Sequence, residues 1–290
     1  MQQMQPKAYE LRGQTLPCTS PDRGKARCMD MPAGFSEETT RCFDFDIYSV
    51  VAGPSPACGL PILMIHGALV SRRYLLPTAE LLCAKYKVMV PDLVGHGNSS
   101  KPHRTLGVQE QAAVMAEYLR QNNIDRAIIL ANSYGCEVAV HLTANYPELV
   151  ERLILIGPTC DRSCKQLFMQ FLRLCRDGIH EHPSMTLVLF KDLWEMGIMR
   201  AIRTSEIMLK YKTLEQVPKI QCKTLIIRGS NDPLAPEEWT HRVIRAFNVD
   251  VTYIPVIGAP HNVNYCNAPI LEKLVDDFLN DRPIEKVPHA

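Results

Sequence analysis

A serine, an imidazole and a carboxylate brought together can make a hydroxyl nucleophilic at neutral pH. The imidazole takes the proton, and the carboxylate fixes its tautomer and stabilises its cation. This chain carries all three types at the ends of short apolar runs. The serine is Ser133, within Ala127 to Tyr146 (AIILANSYGCEVAVHLTANY), where an apolar run passes straight into Ser133 and then into a helical pattern that stops at Pro147. A serine aimed from so sharp a strand-to-helix turn is strained, and the residues two before and two after it must be very small. Here they are Ala131 and Gly135. Taken alone, the segment also fits an ordinary serine capping a helix. At the ends of other runs stand His66, His96 and His261 among the imidazoles, and Asp92, Asp161 and Asp232 among the carboxylates.

The elements that would aim these groups follow from where apolarity is continuous and where it is periodic. Six continuous runs predict strands: Pro61 to Ile65, Tyr86 to Val90, Ala127 to Leu130, Leu153 to Ile156, Thr224 to Ile227 and Val251 to Val256. Continuous apolarity suits parallel strands covered by helices on both faces, and its alternation with helical patterns implies a mostly parallel sheet. Two earlier stretches, Ala26 to Met31 and Cys42 to Val51, are more amphipathic and predict an antiparallel leading edge. Val108, Ala112, Met115, Ala116 and Leu119 recur at helical spacing, as do Ile270, Leu271, Leu274, Val275, Phe278 and Leu279.

From Thr159 to about Val217 the strand-helix rhythm breaks. The stretch is helical in pattern and rich in large apolar residues, including Phe168, Phe171, Phe190, Trp194 and Met199, which predicts an inserted helical lid. The expected organisation is a core domain over 14–158 and 218–282, the lid over 159–217, and flexible termini at 1–13 and 283–290. Most of the lid's apolar residues are expected to form its own small core, with Trp194, Phe168 and Phe171 the candidates to touch substrate.

Several of these segments resemble the α/β-hydrolase fold superfamily. Pro61 to Ala68 (PILMIHGA) resembles its His-Gly turn, and Val90 to Ser99 (VPDLVGHGNS) its loop after the following strand. Thr224 to Pro236 (TLIIRGSNDPLAP) resembles the segment bearing the triad acid, and Val256 to Asn264 (VIGAPHNVN) the loop bearing the triad histidine. The resemblance spans roughly Ile47 to Leu279. It implies an α/β fold, a mostly parallel eight-stranded sheet flanked by helices, with the site at the carboxyl ends of the strands. It also implies Ser133 as nucleophile, His261 as general base and Asp232 as the orienting acid, in the chain order of that fold. Some members carry the acid one strand earlier, which here is Asp161. The amides of Ala68 and Tyr134 are the implied oxyanion donors, the second aided by the positive end of its helix. His66, Asp92 and His96 then serve their own turns. Ala131 departs by one methyl from the family's glycine.

With 32 Lys and Arg against 31 Asp and Glu, the chain has no overall field to gather nucleic acid or an anionic membrane, and nucleic acid is not an expected partner. No run approaches the length of a bilayer span, and Met1 to Gly13 lacks the apolar stretch of a secretory signal, so the expected setting is cytoplasmic. The 11 cysteines are odd in number and several fall within predicted elements, which argues for buried thiols rather than a disulfide framework. Cys160, Cys164 and Cys175 with His180 and His182 form a loose cluster without a C-x-x-C pair, so no metal is expected. There is no G-x-G-x-x-G after the first strand and no P-loop lysine motif, and no cofactor is expected.

These readings point to a serine hydrolase that cleaves a carboxylic ester or thioester through an acyl-enzyme, acting on a small-molecule acyl substrate. A carbon–carbon bond hydrolase of ring-cleavage diketones is the nearest rival, because such relatives often carry Asn before the nucleophile, as Asn132 stands here. They commonly have Trp after the catalytic histidine, where this chain has Asn262. Outside enzymes, the alternative is a non-catalytic receptor of the same fold.

Overall fold

The computed structural model describes residues 32–54, 59–159 and 183–284. Eight strands form one sheet: β1 (Ser36–Cys42), β2 (Phe45–Ala52), β3 (Ile62–Ile65), β4 (Val88–Pro91), β5 (Ala127–Asn132), β6 (Val150–Ile156), β7 (Lys223–Gly229) and β8 (Val251–Val256). Their spatial order is β1-β2-β4-β3-β5-β6-β7-β8. β2 pairs antiparallel with β1 and β4, and every later pairing is parallel.

The central strands are apolar throughout because both of their faces are covered. Leu63, Ile65, Met89, Ile129, Leu153, Leu155 and Ile226 turn to one side, where α2 (Val108–Gln121), α3 (Tyr134–Asn145) and α6 (Glu237–Arg245) pack. Ile62, Met64, Val88, Leu130, Ile154, Ile156 and Ile227 turn to the other, against α1 (Leu76–Leu82) and α7 (Ala268–Leu279). Each such side chain contributes roughly 1.5–3 kcal/mol on burial, so a charge placed at Ile129 or Ile154 would break the sheet's core.

The antiparallel leading edge is present, but its outer strand is Ser36–Cys42 rather than Ala26 to Met31, which lies outside the described residues. SEETTRC carries no apolar run because an edge strand with most of its residues exposed has little to bury. Its register is fixed instead by pairing with the half-buried β2.

Between β6 and β7 lie α4 (Pro183–Met196) and α5 (Ile198–Lys210), joined at Gly197, whose φ of 83° lets the chain turn sharply. The inner face of α4 is tethered at both ends. Near its start, Ser184 Oγ lies 2.8 Å from Tyr265 Oη. Near its end, the buried Asp192 accepts from the Ser71 amide at 2.7 Å and pairs with Arg73, which also forks onto Glu195 at 2.8 and 3.2 Å. Burial pushes the Asp192 carboxyl up against the pull of Arg73.

Cys42, Cys83, Cys136 and Cys222 are thiols, buried or half-buried. Cys266 is disulfide-bonded, a departure from the expectation of thiols alone. Among the described residues no helix is long and apolar enough to cross a membrane.

Candidate active site

β5 ends at Asn132 and α3 begins at Tyr134, so Ser133 alone makes the turn between them. It does so at φ 55° and ψ −128°, a left-sided backbone that a non-glycine residue adopts only under constraint, at a cost on the order of 1–3 kcal/mol. Three bonds impose it. The Ser133 amide donates to the Ile156 carbonyl at 3.0 Å, its carbonyl accepts from the Cys136 amide at 2.8 Å, and the Cys136 thiol donates back to the Ala131 carbonyl at 3.3 Å. The helix is also pressed onto the end of β3. A methyl on Gly135 would fall 2.5 Å from the Ile65 carbonyl and 2.7 Å from that of His66, so only glycine fits there. At Ala131, before the same turn, the one extra methyl is accommodated and fully buried.

The candidate acid and base come from the last two strands. Asp232 follows β7 and His261 follows β8, and both are buried. Asp232 Oδ2 lies 2.7 Å from His261 Nδ1. Its Oδ1 accepts from the amides of Leu234 at 2.8 Å and Ala235 at 2.9 Å, which locks the carboxylate plane. Arg228 donates to the carbonyls of Ala235 at 2.6 Å and Asp232 at 3.2 Å, holding the loop itself. Because Nδ1 faces a carboxylate, the imidazole proton sits on that side and Nε2 is the basic nitrogen. Gly157, at the end of β6 between β5 and β7, closes the packing. A methyl there would come 3.0 Å from both Asp232 Oδ2 and His261.

Opposite this pair stand the turns after β3 and β4. His66 Nε2 accepts from the Leu93 amide at 2.9 Å, so its proton is on Nδ1 and is donated to the Gly67 carbonyl at 2.8 Å. His96 Nε2 lies 2.9 Å from the Ala68 carbonyl and donates to it. The two rings sit with centroids 5.0 Å apart. Burial holds both imidazoles neutral, lowering the pKa of His66 and taking that of His96 down to about 4. Carbonyls tied from behind leave the amides of the turn facing the other way. Gly67 lets this turn approach the nucleophile, since a methyl there would lie 3.3 Å from Ser133 Cβ.

The fully buried Asp92 is committed to structure. It accepts from the Arg72 amide at 2.8 Å, from Arg72 Nη1 at 2.5 Å and from the Asn98 amide at 2.8 Å. Two further residues support the site. Asn132 accepts from Tyr74 and donates to the His261 carbonyl at 3.5 Å, tying the nucleophile's turn to the imidazole's loop. Gly157 could have been suspected as the glycine ending an apolar run.

The structure thus gathers Ser133, Asp232, His261, Ala68 and Tyr134 at one end of the sheet. It does not bring Trp194 to them as part of a packed pocket wall, for that side chain is 83% exposed. Phe168, Phe171, the alternative acid Asp161 and the Cys/His cluster lie outside the described residues. Among the described residues, no group of His, Cys, Asp and Glu is arranged to hold a metal ion.

Residues 61–177 match the sequence profile of the alpha/beta hydrolase fold. An uncharacterised protein of Mycobacterium bovis is 36% identical over 107 residues, which take in 37% of this chain and 30% of that protein. The pimeloyl-[acyl-carrier protein] methyl ester esterase of Vibrio campbellii is 28% identical over 143 residues, 48% of this chain and 54% of the esterase. The matches therefore span from under a third to about half of these relatives' own length. Among solved structures, a thermophilic esterase from Thermogutta terrifontis superposes with a TM-score of 0.71 at 19% identity, over 86% of this chain and 99% of that one. The profile match, the sheet order and the superposition agree that the chain has the α/β-hydrolase fold.

Proposed function

We propose that this protein is a serine hydrolase that cleaves a carboxylic ester or thioester through an acyl-enzyme. The observation that carries this reading is the buried Asp232–His261 pair at 2.7 Å, with the second carboxylate oxygen locked by two amides, across the strand ends from a serine at φ 55°. A carboxylate so fully committed orients one imidazole and stabilises its cation.

In the proposed cycle, His261 Nε2 takes the Ser133 proton as Oγ attacks the carbonyl carbon. The amides of Ala68 and Tyr134 receive the developing oxyanion, and the imidazolium returns its proton to the departing alcohol or thiol. Water, activated by the same imidazole, then releases the acid and restores Ser133. The amides are the groups whose interaction strengthens as charge moves onto oxygen, so they serve the transition state more than the bound ester.

The helices α4 and α5 form a lid over this site. Supporting that are the tethers of α4 to Tyr265, four residues beyond His261, and to Ser71, three beyond Ala68. The acyl chain is expected beneath the inner face of α4, where Met185 and Val188 are buried.

Labelling with a fluorophosphonate, which reacts with activated serines, tests the reading. Wild type should label and Ser133→Ala should not. A correctly folded wild type that neither labels nor hydrolyses chromogenic esters of any chain length would overturn it.

A further inference from the structure

The outer face of the same two helices is unlike any other surface of the described residues. Trp194 is 83% exposed, Phe190 71%, Ile198 62%, Met199 60%, Leu187 55% and Ile202 39%. Leu187, Phe190 and Trp194 stand at helical spacing along α4, and Ile198, Met199 and Ile202 continue the stripe onto α5 across Gly197. This is a contiguous patch on consecutive elements rather than scattered exposure, and patches of that extent mark an interaction surface. The inner face is already satisfied by Met185, Val188, Asp192 and Met196, so the outer stripe is surplus to packing.

Charge around the patch is one-sided. Of the three acids in 183–210, Asp192 and Glu195 both turn inward onto Arg73, leaving Glu206. The four bases of the same stretch are Lys191, Arg200, Arg203 and Lys210. Arg200 donates to the carbonyls of Pro102 and Arg104, and Lys191, Arg203 and Lys210 have no ion-pair partner among the described residues. The chain's near-zero net charge hides this local excess.

We propose that the outer face of α4 and α5 docks onto a lipid–water interface bearing anionic headgroups, with Phe190, Trp194 and Ile198 entering the acyl boundary and the bases meeting the headgroups. An apolar stripe rimmed by lysine and arginine is the pattern that lies in such an interface. A second copy of the chain fits less well, since a symmetric pairing would set the basic rims against each other. The proposal rests on the ester-hydrolase reading for its purpose. A long-chain acyl ester gathers at that kind of surface, and the tethered helix would hold the site's rim against it.

The two tryptophans make the test direct, because Trp239 is buried and Trp194 is not. Full-length protein is mixed with vesicles of phosphatidylcholine alone or of phosphatidylcholine with phosphatidylglycerol, following Trp emission and co-sedimentation. The expected result is a shift of emission to shorter wavelength and co-sedimentation that is stronger with phosphatidylglycerol and weakened by about 1 M salt. Phe190→Asp with Ile198→Asp should lower partitioning at least about tenfold per residue. It should leave fluorophosphonate labelling of Ser133 in vesicle-free solution unchanged.

Wild type that stays in the supernatant with both vesicle types, or partitions no better than the double variant, overturns the proposal. So does a dimer in light scattering that the double variant dissolves. The catalytic reading fails separately. Protein that binds vesicles but is never labelled upholds the docking surface and refutes the hydrolase. Protein that is labelled but ignores vesicles does the reverse.

Discussion

Three buried histidines stand around the candidate site, and the two sides of the site use them in opposite ways. On the proposed oxyanion side, His66 and His96 donate to the carbonyls of Gly67 and Ala68, and burial keeps them neutral. On the proposed acid–base side, His261 faces the carboxylate of Asp232, whose other oxygen is occupied by two backbone amides. A histidine whose ring nitrogens are both used by backbone is a strut. One whose Nδ1 is held by a carboxylate keeps a basic Nε2 for a proton. The partner of each ring, more than the residue type, separates scaffold from chemistry.

The largest effects should fall on the acid–base side. Ser133→Ala and His261→Ala are each expected to lower kcat by roughly four to six orders of magnitude without unfolding the protein, because such residues act as a unit. Asp232→Asn should cost about four orders, through the wrong imidazole tautomer. Near-wild-type rates for Asp232→Asn would dissolve the contrast between the two sides. The kcat/KM profile should also rise with pH over the range in which an imidazole loses its proton, and a flat profile with chemistry limiting would remove the general base.

The next effect belongs to the oxyanion side. His96→Ala removes the donor to the Ala68 carbonyl while leaving every proposed reacting group in place. Loosening that turn by a fraction of an ångström should lower kcat on the order of tenfold to a hundredfold with little change in KM. His96→Gln, whose amide can reach the same carbonyl, should recover most of the loss. Equal losses in both variants, matched by equal loss of thermal stability, would make His96 a packing residue only.

A glycine on each side sharpens the same contrast. Gly157→Ala would crowd Asp232 and His261 at 3.0 Å and should lower the rate of fluorophosphonate labelling by about tenfold, since those side chains have a few tenths of an ångström to give. Gly135→Ala meets backbone oxygens at 2.5 and 2.7 Å and should instead lower the melting temperature, because neither strand end can move.

Much of this was legible in the sequence, and what was not has a physical cause. The six central strands announce themselves because burial on both faces demands unbroken apolarity, and all six appear within a few residues of the expected bounds. β1 was invisible because an edge strand need not be apolar. Ser133 could be singled out by the small residues on either side, since a strained turn restricts its neighbours. The roles of His66 and His96 depend on which backbone group each ring meets across 27 or 28 residues of chain, the Leu93 amide for one and the Ala68 carbonyl for the other, and no spacing encodes that. The exposure of Trp194 was not legible for a related reason. Helical periodicity finds a stripe but not the side of the helix that faces the protein, and α4 is apolar on both.

The smallest expected effect is on stability, and its sign follows from the neutral rings. His96 has its pKa taken down to about 4, and His66 is lowered too, whereas an unfolded histidine titrates near 6.5. Between those values the unfolded chain binds more protons than the folded one. Stability from these rings is therefore complete above about pH 6.5 and is lost as pH falls towards 4, with a slope no steeper than about 1.4 kcal/mol per pH unit for one group. Glu137, fully buried with its carboxyl pushed well above the usual range, pulls the other way over part of this window. It does so equally in wild type and in His96→Gln, so the difference between their slopes isolates the ring. Urea unfolding at half-unit steps from pH 7 to 5 should give wild type the more positive dependence of stability on pH. Parallel curves would mean that His96 is not held neutral by the fold, and its assignment as a neutral strut would fall with that result.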